Sequence, residues 1–148
     1  MFPSRPTPSP LDADVTMRMA HLDEIPLGDP EDPILWRAVR HHFGVRAFGV
    51  NAFVARGEGQ PVIEDHVETG DSTGAHEELY VVLRGRAAFT VGDERLEAGA
   101  GTFLHLPDPA TRRGAVALEP DTAVLAIGAP PGAPFRVTPW ERRYFPDD

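Results

Sequence analysis

Hydrophobic and polar residues alternate through residues 76–85, which read HEELYVVLRG. Successive side chains of a β-strand point to opposite faces, so His76, Glu78, Tyr80 and Val82 fall on one face of the predicted strand. The strand therefore places an imidazole, a carboxylate and a phenol in one row.

Short β-rich runs, separated by glycine and proline turns, continue along the chain. Residues 86–91 form the next predicted strand after a turn at Gly85, and Gly92 begins another turn. Further strands are predicted over residues 45–55, 61–67, 102–106, 112–118 and 122–127. This many short strands with almost no helix predict an all-β fold, either a small sandwich or a barrel of the jelly-roll type.

The distribution of proline and glycine divides the chain into four parts. Residues 1–14 are rich in proline and predict a flexible leader, and residues 15–44 predict a segment along the barrel edge. Residues 45–128 contain the predicted barrel strands. Residues 129–148 are again rich in proline and glycine, and we expect this tail to pack on the barrel through Trp140 and Tyr144.

The composition narrows the possible functions. A net charge of −9 and a pI near 5.0 argue against a nucleic-acid partner and against an anionic membrane surface. The chain has no cysteine and no lysine, which excludes thiolate ligands and Schiff-base chemistry. Arginine at every basic position is typical of a GC-rich bacterial genome. The sequence shows no signal peptide or membrane span, so we expect a cytoplasmic protein with a small-molecule or protein partner.

Two motifs carry a family resemblance. Glu78 is followed by Gly85 in HEELYVVLRG, and Gly101 is followed by Pro107 in GTFLHLP. In order and spacing these motifs resemble the cupin family of double-stranded β-helix barrels, over roughly residues 45–128. The resemblance implies a jelly-roll barrel that encloses a pocket.

The metal-binding positions of that family are largely changed in this sequence. The resemblance places a His-x-His pair before Glu78, where the chain has Asp71 and Thr73, or Ser72 and Gly74. A third histidine of the family falls at Arg112. Of the four usual ligands, Glu78 alone matches.

One interpretation is that the metal has been lost. Arg112 then lies where a metal-binding imidazole would be, and we expect its guanidinium to pair with Glu78 inside the barrel. Arg112 and Arg113 are adjacent and must diverge, so one of the two is solvated. Tyr80 and Asn51, the only asparagine, are the further candidates for ligand binding.

The other interpretation is that the metal ligands have moved. His76, Glu78, His105 and His66 are then the candidate ligands of one divalent ion, Zn²⁺, Mn²⁺, Fe²⁺ or Ni²⁺. His66 and Glu68 form a His-x-Glu pair before the loop, which could stand for a degenerate His-x-His. His105 alternates with Leu104 and Leu106, so it faces away from them, and whether that face is inside or outside stays open.

Two functions follow from these interpretations. The first is a cupin that binds a small molecule, with little or no use of a metal, as a sensor, carrier or accessory protein. The alternative is a metal-dependent oxygenase, isomerase, lyase or cyclase, or an enzyme in which His76 and Glu78 transfer protons directly. A homodimer is compatible with both, and Trp36, Phe43 and Trp140 are the apolar residues expected to support it.

Overall fold

The computed structural model describes residues 15–148, so the predicted leader lies outside the described residues. A 3-10 helix spans Leu22–Glu24, and two short α-helices follow, α1 (Val39–Phe43) and α2 (Pro139–Arg142). The strands are β1 (Leu35–Arg37), β2 (Gly49–Val54), β3 (Pro61–His66), β4 (Glu77–Arg84), β5 (Arg86–Val91), β6 (Glu94–Gly99), β7 (Phe103–Leu106), β8 (Arg113–Ala117) and β9 (Ala123–Ala129).

These strands form two antiparallel sheets with the orders β1-β2-β9-β4-β7 and β3-β8-β5-β6. The inward side chains of both sheets build one apolar core, which includes Val62, Val82, Phe89, Ala115 and Val124. Burying a side chain of valine or phenylalanine contributes roughly 1.5–3 kcal/mol. The predicted all-β, jelly-roll architecture is confirmed.

Strand β4 shows the two faces that its alternation predicts. Tyr80 and Val82 are each 1% exposed in the core, whereas Leu83 is 41% exposed on the outer face. The turn after β4 needs glycine, because Gly85 has a φ of +74° and an added Cβ would lie 2.4 Å from Thr122 Oγ1. Strand β5 begins at the residue after this turn.

The C-terminal residues pack against the N-terminal strand of the larger sheet. The Trp36 ring is 2% exposed and meets the rings of Trp140 and Tyr144 edge to face, with centroids 5.0 and 5.2 Å apart. The prediction that Trp36 lies on the outside is wrong, because its ring is buried, whereas Phe43 and Trp140 are half-buried. Homodimerisation itself stays a prediction.

No helix in residues 15–148 is both long and apolar enough to span a membrane.

Candidate functional site

A cavity of about 570 Å³ lies inside the barrel, between the ends of the two sheets. One wall is made by residues 135–144, which we call the C-terminal wall. Its members Phe135, Thr138, Trp140, Glu141 and Tyr144 all line the cavity. The polar residues of the barrel that line it include Asn51, His66, Glu68, His76, Glu78 and Tyr80.

Glu78 is the centre of the polar lining. Its Oε1 atom accepts hydrogen bonds from Tyr80 Oη at 2.7 Å and from Arg113 Nη1 at 2.8 Å. The Glu78 side chain is 11% exposed and that of Arg113 is fully buried. A buried carboxylate is thus matched by a buried guanidinium, as the desolvation of both charges requires.

Arg113, rather than the predicted Arg112, makes this contact. Arg112 lies at the cavity rim, 61% exposed, with its Nη1 atom 3.3 Å from Asp65 Oδ2. In β8 the buried face carries Arg113, Ala115 and Ala117, and Arg112 precedes the strand. A shift of one residue along a strand exchanges inward and outward side chains, so the prediction was wrong by one position.

Arg113 is fixed in place by the loop that leads into β8. Its Nε atom donates to the carbonyl of Thr111 and its Nη2 atom to the carbonyl of Asp108, both at 2.8 Å. Together with the bond to Glu78, these contacts hold the guanidinium in one orientation. Arg113 is therefore a fixed internal counter-charge.

His66 and Glu68 form a second ion pair beside Glu78. His66 Nε2 lies 2.7 Å from Glu68 Oε2, and His66 Nδ1 lies 2.6 Å from the Glu64 carbonyl. Burial alone would lower the pKa of His66, but the hydrogen bonds to Glu68 and Glu64 outweigh it, and the net effect raises the pKa. Both ring nitrogens face acceptors, so the protonated imidazolium fits this position.

His76 lies on the other side of Glu68, with its Nδ1 atom 3.9 Å from Glu68 Oε1. Burial lowers the pKa of His76, and the charge of Glu68 opposes that change only in part. Two glycines make room for the ring and for Glu78. A Cβ on Gly74 would lie 2.3 Å from His76 Nε2, and one on Gly128 would lie 3.1 Å from His76 Cβ and 3.2 Å from Glu78 Cγ.

Burial and neighbouring charges also shift the pKa values of Glu78 and Tyr80. Burial raises the pKa of Glu78, the nearby Glu68 charge adds to it, and the hydrogen bonds from Tyr80 and Arg113 work against it. Burial, together with the charge of Glu78, raises the pKa of Tyr80 well above that of free tyrosine. Tyr80 therefore stays a neutral phenol whose proton is donated to Glu78.

His105 lies outside the site. It projects from the outer face of β7, where its Nε2 atom is 2.5 Å from Glu77 Oε2 and its side chain is 56% exposed. Its neighbour Leu106 takes the inward position and is 4% exposed. Two apolar neighbours thus decide the face, and His105 cannot share a metal ion with Glu78.

Comparisons with known proteins agree with this architecture. KdgF from Halomonas sp. matches with a TM-score of 0.57 at 25% identity, over 73% of this chain and 90% of that protein. An RmlC-like cupin from Desulfovibrio desulfuricans matches with a TM-score of 0.58 at 25% identity, over 77% and 97%. Another from Shewanella frigidimarina matches with a TM-score of 0.54 at 12% identity, over 76% and 91%. No protein-family model and no curated protein matches the sequence.

The chain has the cupin fold. The resemblance carried by Glu78, Gly85, Gly101 and Pro107 is therefore confirmed as a prediction of architecture.

The donor set in this cupin barrel fits a divalent metal ion in kind and in spacing. His66, Glu68 and Glu78 each offer one atom, and the three atoms lie within 4.8 Å of one another. An imidazole and two carboxylates are ligands that Zn²⁺, Mn²⁺ or Fe²⁺ accept. His66 and Glu78 were predicted as ligands, and Glu68 completes the set. His76 is the nearest further imidazole.

A second buried polar cluster joins the cupin barrel to the C-terminal wall. Arg40 Nε lies 2.5 Å from Glu141 Oε2, and Asn51 Nδ2 donates to Glu141 Oε1 at 3.0 Å. Arg40 also pairs with Asp148 through Nη2. Asn51, a predicted ligand-binding residue, lines the cavity, but sequence reasoning missed Arg40 and Glu141 because they are 101 positions apart.

Proposed function

We propose that this cupin binds a small molecule in its barrel without requiring a metal ion. The observation that carries the proposal is the buried Arg113 guanidinium, 2.8 Å from Glu78 Oε1. Glu78 stands where the family resemblance implies a metal ligand, and here a protein cation already compensates its charge. The cavity of about 570 Å³ also falls within the range of small-molecule sites.

The charges of the cluster balance without an added ion. Glu78 is paired with Arg113, and Glu68 is paired with the imidazolium of His66. A buried ion pair with good geometry offsets much of the desolvation cost of its two charges. A divalent ion bound here would have to displace the His66 proton and would break the existing pair with Glu68.

Metal analysis and tryptophan fluorescence test the proposal together. We expect far less than one equivalent of metal per chain in the purified protein, and no fall in Tm after dialysis against a chelator. Both tryptophans of the chain, Trp36 and Trp140, line the cavity, so their emission reports a molecule that enters it. A metabolite library screened by emission, and then by Tm, identifies ligands. Stoichiometric metal in the wild type that is lost in Glu68→Gln would contradict the proposal.

A metal-dependent enzyme is the second candidate, and the convergence of His66, Glu68 and Glu78 within 4.8 Å favours it. When bound, a divalent ion would supply a Lewis acid to a carbonyl or hydroxyl of the substrate. Within the chain, Tyr80 and Arg113 would orient Glu78 through its Oε1 atom, and His76 would stand beside Glu68 as a proton acceptor. The predicted direct proton transfer by His76 and Glu78 is the metal-free form of this candidate, in which Glu78 binds no ion.

Titration with Mn²⁺ and Zn²⁺ separates the two candidates. Metal must displace a proton from His66, so its binding by the cluster would weaken as the pH falls. The second candidate predicts at least micromolar affinity that Glu68→Gln and His66→Gln abolish and that His105→Gln leaves unchanged. The first candidate predicts that the three variants and the wild type respond alike.

A further inference from the structure

We propose that the cavity selects molecules that carry a protonated amine, and that it discriminates against carboxylates and phosphates. This inference rests on the proposed function and names the chemistry of its ligand. It follows from the buried groups around the cavity, because the two buried arginines lie behind carboxylates while several buried acceptor atoms have no donor among residues 15–148.

Neither of the two buried arginines, Arg40 and Arg113, lines the cavity, and all three nitrogens of each already donate to protein acceptors. Arg113 uses Nε, Nη1 and Nη2 on Thr111, Glu78 and Asp108. Arg40 uses its three nitrogens in the same way, on the side chains of Glu141 and Asp148 and on the carbonyl of Val45. The guanidinium groups lie behind carboxylates, so the cavity meets the carboxylates first.

Two donors beside the carboxylates of the site are also engaged. Tyr80 donates its hydroxyl proton to Glu78, and both ring nitrogens of His66 face oxygen atoms. An anionic ligand that lay against Glu68 and Glu78 would be repelled by both carboxylates. An unpaired anion is strongly disfavoured in such a site.

Acceptor atoms, in contrast, are left over. Among residues 15–148, both hydrogen bonds to Glu78 go to Oε1, which leaves Oε2 available, and Glu68 Oε1 has only the long 3.9 Å contact to His76. Asn51 Oδ1 and Thr138 Oγ1 are buried without a hydrogen-bond partner among residues 15–148. Thr138 precedes α2 at the N-cap position, yet its side chain makes no capping bond.

The side chains that line the cavity carry more negative than positive charges. Six carboxylates line the cavity against two arginines, Arg112 and Arg143, and Arg112 is already paired with Asp65. The six are Asp32, Glu64, Asp65, Glu68, Glu78 and Glu141. Adding Arg40 and Arg113 behind the lining, and the imidazolium of His66 within it, still leaves the carboxylates in excess, six to five. The net charge of −9 on the whole chain further favours the approach of cations.

Aromatic rings complete a site for an amine. Phe135, Trp140 and Tyr144 of the C-terminal wall line the cavity, and the Phe135 ring lies 5.5 Å from that of His76. An ammonium group is attracted to the face of an aromatic ring as well as to carboxylates. The cavity lining thus combines acceptor atoms with aromatic rings, which suits an amine attached to a hydrophobic body.

Three probes with one skeleton test the proposal: 2-phenylethylamine, 2-phenylethanol and phenylacetate. Binding is measured at pH 7 by tryptophan emission and by Tm. We expect the amine to bind about tenfold more tightly than phenylacetate, with the alcohol between them. Glu68→Gln should weaken binding of the amine by a factor of about five and leave binding of the alcohol unchanged. Glu94→Gln, an exposed carboxylate on β6, is the matched control and should change neither.

The outcomes separate this inference from the proposed function. Binding of phenylacetate as tight as that of the amine would overturn the amine selectivity while supporting a metal-free ligand cavity. No binding by any of the three probes at millimolar concentration would overturn the amine selectivity, whereas the proposed function is decided by the metal analysis and the metabolite screen. If Glu68→Gln does not fold, the ranking of the three probes on the wild type still decides.

Discussion

Two buried arginine–glutamate pairs in this protein have similar parts and opposite roles. Arg113 and Glu78 lie inside the barrel, where the arginine is fixed by two backbone carbonyls and the carboxylate keeps one oxygen available to the cavity. Arg40 and Glu141 lie at the C-terminal wall, where both oxygens of Glu141 are occupied, by Arg40 and by Asn51. The first pair therefore shapes the polar lining of the cavity, and the second holds the C-terminal wall against the barrel.

The difference lies in what each arginine is tied to. Carbonyls of one loop hold Arg113, so its position depends only on the barrel. Arg40 has its main partners in Glu141 and Asp148, so it depends on where the C-terminal residues lie. Ion pairs of equal burial can thus serve either the chemistry of a cavity or the closure of its wall.

Removing the barrel arginine should have the largest effect. Arg113→Met leaves Glu78 charged and buried, and we expect a loss of about 4 kcal/mol in the free energy of unfolding at pH 7. The loss should shrink toward pH 5, because the raised pKa of Glu78 lets the carboxylate become neutral. Urea unfolding at both pH values measures this.

The neighbouring arginine supplies the control. Arg112→Met removes an exposed pair with Asp65 and should change the free energy of unfolding by less than about 1 kcal/mol. A larger loss in Arg112→Met than in Arg113→Met would contradict the assignment of the internal counter-charge.

Removing the arginine of the wall should have a smaller and more local effect. We expect Arg40→Met to lose about 2 kcal/mol, since Glu141 keeps its bond from Asn51 and can move toward water. Limited proteolysis should then cut the C-terminal residues faster than in the wild type. In Arg113→Met the cutting rate at these residues should rise only as far as the loss of global stability explains. Equal cutting of both variants at matched stability would show that the two pairs do not differ in role.

The pH dependence of the free energy of unfolding should report the burial of His76 beside the cavity. Above pH 6.5 the imidazole is neutral in the folded and the unfolded chain; below it, the unfolded chain takes up a proton first, because burial lowers the pKa in the fold. The wild type should therefore lose stability relative to His76→Gln as the pH falls from 7 to 5. The expected loss approaches about 1.4 kcal/mol for each unit of pKa change.

Thermal unfolding across that pH range, with His21→Gln as the surface baseline, checks the effect. His66, whose pKa is raised, contributes with the opposite sign, so its own stabilisation is present below pH 6.5 and is lost as the pH rises. A difference between wild type and His76→Gln that does not vary with pH would argue against a buried neutral imidazole.

The smallest effect is expected at Thr138. Its buried hydroxyl has no partner in the described part of the chain, so Thr138→Val should be neutral or should stabilise by up to about 1 kcal/mol. Thr122→Val is the matched control, because Thr122 is fully buried and its Oγ1 donates to the Glu119 carbonyl at 2.7 Å and accepts from the Arg86 amide. That variant should lose stability. Losses of the same size in both would mean that Thr138 has a partner in the folded state.

The sequence predicts the part of the site that follows from regular alternation. Glu78 and Tyr80 are two positions apart on an unbroken strand, so their shared face could be read directly, and the apolar pattern of β4 fixes that face inward. The same reasoning left His105 open, and its two leucine neighbours decide the outcome. Regular strands with clear apolar partners are thus predictable from sequence.

Irregular backbone explains what could not be predicted. One of two register shifts in β3 places two residues between Ile63 and His66 opposite one between Ala115 and Arg113. As a result His66, rather than Asp65, lies opposite Arg113. A bulge of this kind exchanges the faces of a strand, and nothing in the alternation of residues 61–67 marks it. The loop before β8 likewise gives no sign in the sequence that Arg113, rather than Arg112, takes the inward position.

The C-terminal wall shapes the cavity without belonging to either sheet. It supplies Phe135, Trp140 and Tyr144 to the lining, yet its residues take no part in strand pairing. Substitutions there can change the size and polarity of the cavity while the barrel core, with Val62, Phe89 and their neighbours, stays intact. Relatives could therefore diverge in specificity by exchanging about ten residues near the C-terminus, and a designer could do the same on this scaffold.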